Sequence, residues 1–173
     1  MKAKAKAYIA ALIIQYQDFL RCWTDGSVKG RTLKTAACAY HIEYKQTAIH
    51  SQAIPLAGIH SINLAELQGI FHTLQYLLQH HTLLTPTNKQ AVIFCDNKYV
   101  VNVLNQINKP NSKHLELYTH ILQLLRALNP VLNFKFEWIP SHCETPGNDI
   151  ADHLASIVPF IKQDPRLENI LLT

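Results

Sequence analysis

The chain has only twelve acidic residues in 173 and no Cys-x-x-Cys pair or zinc-type spacing of cysteine and histidine. It also has no apolar run approaching the roughly 20 residues of a membrane helix. These gaps exclude a small zinc-built domain and a helical membrane span. Charged residues are 16% and apolar residues 48% of the sequence, the balance of a globular chain, which excludes a disordered chain and a coiled coil. No internal repeat or low-complexity segment interrupts it. A chain of this length forms one domain and buries a core without staples.

The net charge is +4 with ten histidines counted as neutral, so the surface grows more positive as pH falls below about 6.5. Before Asn63, eight Lys and Arg face three acids, Asp18, Asp25 and Glu43. That bias suits a polyanionic partner and equally a merely soluble basic surface. Cys22, Cys38 and Cys95 fall in predicted strands as reduced core thiols, the usage of an intracellular protein, while Cys143 falls in a loop where a thiol can react. Met1 to Lys6 followed by Ala7 to Ile14 imitates a signal peptide, but Gln15, Tyr16, Gln17 and Asp18 replace a small-residue cleavage site. Residues 1–18 are therefore expected to be an extension, either a short amphipathic helix or a junction to a removed upstream segment.

Strands are predicted from Phe19 to Asp25, Thr35 to Tyr44 and Thr47 to Ile54, the last two joined as a hairpin through Lys45 and Gln46, with Pro55 to Gly58 breaking the run. Asn63 to His81 has helical spacing in Leu67, Ile70, Phe71, Leu74, Leu77 and Leu78, and Asn63 with Glu66 fits a capping box. Ala91 to Cys95 reads as a buried strand. Helices follow from Asn97 to Gln106 and from Ser112 to about Leu128. Phe134, Phe136 and Trp138 alternate with Lys135 and Glu137 in a half-buried strand, and a last helix starts near Asn148. The tail from 159 to 173, with two prolines and no period, is expected to pack loosely or to be partly disordered. This order predicts an α/β domain with a five-stranded mixed sheet, three antiparallel strands then two parallel, flanked by helices.

A third of the scarce acids stand at element ends, where α/β folds place their chemistry. They are Asp25, Glu66, Asp96 and Asp152. Taken singly, each reads more readily as a cap or a turn residue than as a catalytic group. Converging in one cleft, they would repel, and divalent metal resolves the conflict. Hard oxygen ligands suit Mg²⁺ or Mn²⁺, and two ions about 3.5–4 Å apart can drive an in-line phosphodiester displacement. The constellation points to a metal-dependent nuclease or nucleotidyl transferase.

Trp23-Thr24-Asp25-Gly26-Ser27, Asn63-Leu64-Ala65-Glu66-Leu67, Phe94-Cys95-Asp96-Asn97, and Trp138-Ile139-Pro140-Ser141-His142 with Gly147-Asn148-Asp149-Ile150-Ala151-Asp152 resemble the type 1 ribonuclease H family, most of all the ribonuclease H domains of reverse transcriptases. The resemblance covers 19–158 and implies the ribonuclease H-like fold. It implies that Asp25, Glu66, Asp96 and Asp152 are catalytic and hold two Mg²⁺ ions, with Mn²⁺ as a substitute. It also implies that His142 assists water activation or product release, a task suited to an imidazole that titrates near neutrality. Asp149, where the family often has Glu, is expected to support the site or start the helix. Gly26, Ser27, Asn63 and Asn97 match positions near the minor groove of a hybrid, where the 2′-hydroxyls of RNA are read.

The implied activity is hydrolysis of the RNA strand of RNA–DNA hybrids by a monomer, alone or joined to a reverse transcriptase or polymerase domain. Two departures stand out. Only Asn108 to Lys113 separates the two helices after Asp96, where many cellular members carry a basic helix, so weak hybrid binding is expected. Cys143-Glu144-Thr145-Pro146 replaces the usual Gly-containing stretch of the histidine loop. The competing reading from another class is a non-catalytic or partner-dependent nucleic-acid-binding module on the same fold.

Overall fold

The computed structural model describes residues 2–30, 35–84 and 88–161. The middle of the sheet is a parallel pair, β1 (Leu20–Lys29) and β4 (Gln90–Cys95), in register from Leu20 opposite Ala91 to Thr24 opposite Cys95. Both strands are buried on both faces, β4 with apolar side chains throughout Ala91–Cys95 and β1 with Leu20, Cys22 and Trp23 beside the buried polar Arg21 and Thr24, the pattern of strands covered front and back. Leu20, Cys22, Ala91, Ile93 and Cys95 enter the larger core, while Trp23, Val92 and Phe94 enter a smaller one behind it.

β2 (Thr35–Tyr44) pairs antiparallel with β1, β3 (Thr47–Leu56) pairs antiparallel with β2, and β5 (Asn133–Trp138) pairs parallel with β4. The order is β3-β2-β1-β4-β5, the predicted mixed sheet. Lys45 and Gln46 close the predicted hairpin with φ of 49° and 65°, the left-handed pair that matches the twist of the flanking strands. Pro55 does not end β3 as expected, since it lies within the strand opposite Ala37. An edge strand tolerates a missing N–H.

On the larger core lie α2 (Ile62–Leu84), α3 (Lys98–Leu104) and α4 (Leu115–Leu128), contributing Leu67, Ile70, Leu74, Leu77, Val100, Leu104, Ile121 and Leu128. A 3₁₀ turn at Ser112–His114 leads into α4, so the predicted single helix from Ser112 changes its winding after one turn. The opposite face is covered by α5 (Pro146–Ile161), which starts two residues before Asn148, and by α1 (Lys2–Gln15). Leu12, Tyr16 and Ala151 pack with Trp23 and Phe94, whose rings stack at 4.3 Å. Because α5 continues to Ile161, the first residues of the predicted tail are helical; the rest of it, 162–173, lies outside the described residues. Cys22, Cys38 and Cys95 are free and buried, and Cys143 is half-buried. Among the described residues, no helix is long and apolar enough to cross a membrane.

Candidate active site

Because β1 and β4 run parallel, their C-terminal ends open on the same edge of the sheet, the edge on which such folds carry their sites. Asp25 lies just past the last residue of β1 paired with β4, though β1 does not end there as expected but continues beside β2 to Lys29; Asp96 directly follows β4, and Glu66 comes from the first turns of α2. One carboxylate oxygen from each of the three lies within 4.8 Å of the other two. They line a cleft of about 520 Å³ together with Gly26, Ser27, Asn97, His142 and Asp152. Asp152 stands on the wall and outside the tight trio.

The approach of α2 to β1 depends on Gly26. A Cβ there would lie 2.6 Å from the backbone nitrogen of Glu66 and 2.7 Å from the carbonyl carbon of Ala65. With no side chain in the way, the Gly26 N–H donates to the Glu66 carboxylate, which the Cys95 thiol also approaches at 3.6 Å. The expected capping box does not form. The Ser61 carbonyl accepts from the N–H groups of Leu64 and Ala65, so the helix begins before Asn63 and leaves that residue inside its first turn.

Asn63 instead accepts from Asn97 Nδ2 at 2.8 Å, and Asn97 Oδ1 caps α3 by accepting from Val100 N at 3.3 Å. Asn97 is therefore committed at both ends of its amide, and Asn63 keeps its Nδ2 as a donor. Of the four expected substrate contacts, Gly26, Ser27 and Asn97 line the cleft, and Asn63 reaches it through Asn97.

Burial and mutual repulsion dominate the electrostatics. Asp25 is pushed up to about 8 by burial, then by Asp96 and Asp152, against a smaller opposing bond from the Gly26 N–H. Burial and the charges of Asp25 and Asp96 hold Glu66 well above the usual carboxylate range. Asp96 is raised by burial and Asp152, while a hydrogen bond from Ser141 and the neighbouring His142 pull it down. Neither of the described ion pairs, Lys6 with Glu144 and Arg21 with Glu43, involves the trio. Three clustered carboxylates, two of them buried and all offering oxygen donors alone, fit a hard divalent cation.

Two supporting groups escape a motif reading. Trp138 Nε1 donates to the Asp96 carbonyl at 2.9 Å, and Ser141 bonds the Asp96 carboxylate, so β5 and its following loop fix this residue from both sides. Both lie in the Trp138 to His142 segment, but no local spacing reveals what they touch. His142 is exposed on the cleft rim with φ of 53°, and Glu144 has φ of 55°. Asp149 lies exposed in the first turn of α5, raised by burial first, with Asp152 and Glu144 adding to it.

The fold is shared with several solved structures. RNase H1 from the halophilic archaeon Halobacterium salinarum superposes with a TM-score of 0.61 at 16% identity, covering 80% of this chain and 95% of that one. LC11-RNase H1, isolated from compost by a metagenomic approach and solved in complex with RNA/DNA hybrid, gives 0.64 at 16% identity over 79% and 96%. The foamy viral protease-reverse transcriptase in complex with RNA/DNA hybrid gives 0.64 at 19% identity, covering 83% of this chain and 20% of the viral one. No curated protein matches the sequence. The RNase H family model matches residues 18–158, the span that carries the sheet, the acidic trio, His142 and Asp152. The chain belongs to the RNase H family.

Proposed function

We propose that this chain is an endonuclease that hydrolyses the RNA strand of RNA–DNA hybrids, leaving 5′-phosphate and 3′-hydroxyl ends. One observation carries the reading: three carboxylates meet within 4.8 Å at the C-terminal edge of the parallel strands, in the cleft that His142 and Asp152 also line. Asp25, Glu66, Asp96 and Asp152 would hold two Mg²⁺ ions, with Mn²⁺ able to replace them. Such ions supply Lewis-acid activation of water and neutralise charge at the phosphodiester.

The chain's own residues do the positioning. The Gly26 N–H and the Cys95 thiol orient Glu66, while Ser141 and Trp138 orient Asp96. His142, exposed on the rim, would accept or return a proton at its imidazole. Asn63, steadied by Asn97, offers its amide to a 2′-hydroxyl, the group that separates RNA from DNA. A reverse transcriptase or polymerase domain is the proposed covalent or docking partner.

Cleavage of an end-labelled hybrid beside duplex RNA and duplex DNA, with Mg²⁺, Mn²⁺ or EDTA, tests this. The expected result is metal-dependent cutting of the hybrid's RNA strand alone, abolished by Asp96→Asn. Folded protein that binds hybrid but never cuts it, even with Mn²⁺ at low salt, would refute hydrolysis and leave a binding module.

A further inference from the structure

The family match begins at residue 18, so α1 lies before the matched span, and besides the sheet it touches one loop. Its inner side, Ile9 and Leu12, and Tyr16 directly after its end are 4%, 7% and 2% exposed. Leu12 and Tyr16 pack on Trp23, Phe94 and Ile139, the last being the first residue after β5. Tyr16 donates to Glu137 and Tyr8 donates to the Trp138 carbonyl at 3.4 Å, just before the histidine loop. Lys6 then pairs with Glu144 on the far side of His142. Between these anchors, Ile9, Ala10 and Ile13 face Cys143, Thr145 and Pro146 across a space of about 170 Å³.

The loop needs such support. His142 and Glu144 both adopt left-handed backbone, with φ of 53° and 55°, which residues carrying a Cβ rarely occupy unless their surroundings impose it. Inside the loop, the bond of Cys143 Sγ to the Ser141 carbonyl is 3.4 Å long and weak. The same loop supplies Ser141 to Asp96. From outside the loop, Lys6 grips its left-handed turn.

We propose that α1 is a brace for the histidine loop and that Lys6, through Glu144, is a positioning residue that sets how often His142 stands over the cleft. The brace concerns the site assigned above and rests on that reading for its effect on rate. Its effect on loop opening does not. An exposed ion pair shifts a local equilibrium by up to about fivefold, so the change is one of loop population and leaves the fold intact.

The test uses the full chain and the variants Lys6→Ala, Lys6→Glu, Glu144→Lys and the exchange Lys6→Glu with Glu144→Lys. The first readout is the labelling rate of Cys143 by a neutral thiol reagent, since Cys22, Cys38 and Cys95 are buried. Lys6→Glu is expected to speed labelling about threefold to fivefold, and the exchange to return it toward wild type. Removing a nearby cation would by itself slow a thiolate reaction, so acceleration reports opening. The second readout is hybrid cleavage: kcat falls by a similar factor in Lys6→Glu with KM unchanged, and the exchange restores it.

Labelling rates equal across all variants would overturn the brace. So would a loss confined to KM, which would make Lys6 a phosphate contact. If wild type cuts no hybrid, the assigned activity fails, while the labelling series still decides the brace.

Discussion

Replacing Asp25 with asparagine should stabilise the metal-free protein, and by an amount that grows with pH. In the folded chain Asp25 is pushed up to about 8 from an ordinary 3.8 by burial and by Asp96 and Asp152. A folded-state pKa above the unfolded one means the protonated carboxyl is the form the fold prefers. Its stability contribution is complete below pH 3.8 and is lost as pH rises toward about 8. Each pH unit inside that window costs about 1.4 kcal/mol. Moving from pH 5 to pH 7 therefore takes about 3 kcal/mol from the wild-type fold, a loss that Asp25→Asn, with nothing to ionise at this position, escapes.

For a domain of this size that amounts to about 6–12 °C in Tm. Thermal melts of both chains in EDTA at pH 5 and pH 7 measure it, because the histidines and other groups remote from the cluster cancel in the difference. Adding Mg²⁺ at pH 7 should then raise the wild-type Tm and leave Asp25→Asn nearly unmoved. A Tm gap that stays constant between the two pH values would refute the account of a repelling carboxylate cluster.

Gly26→Ala drives a methyl into the backbone of Ala65 and Glu66, so it should destabilise by about 1–3 kcal/mol and cut kcat by up to about a hundredfold through displacement of Glu66. Urea melts and hybrid cleavage check the two effects. Gly147→Ala places its Cβ 2.2 Å from Trp23 Nε1, whose bond to Glu43 Oε1 at 2.9 Å it would break. The expected cost of about 3 kcal/mol should lower Tm by about 6–12 °C. Ser141→Ala removes a donor that favours ionised Asp96, so the acid limb of the kcat profile should move to higher pH while Tm changes little.

What the sequence makes legible follows from periodicity and from element ends. β1 and β4 are covered on both faces, so Ala91 to Cys95 reads as an unbroken apolar run, and α2 shows its buried stripe at helical spacing. Asp96 stands at a strand end, which a linear reading can locate, whereas β1 runs four residues past Asp25, because its pairing with β2 continues where its pairing with β4 stops. The capping box at Asn63 fails because local spacing cannot tell a side chain that turns back on its own helix from one drawn outward by Asn97 or Gly26. Pro55 reads as a break because edge placement is a property of the whole sheet. Ser141 and Trp138 cannot be assigned from spacing either, since their partner, Asp96, is some forty residues away along the chain.

The two tryptophans divide the molecule optically. Trp23 is 1% exposed, stacked on Phe94, and senses only whether the core is assembled. Trp138 is half-buried, donates to the Asp96 carbonyl and lies 5.4 Å beneath the Lys98 ammonium. A charge entering beside Asp96 changes the field on that indole, whose N–H is bonded to the Asp96 carbonyl itself. Intrinsic fluorescence thus offers a built-in titration signal, with occupancy of the cleft read from Trp138 at temperatures where Trp23 reports an intact fold.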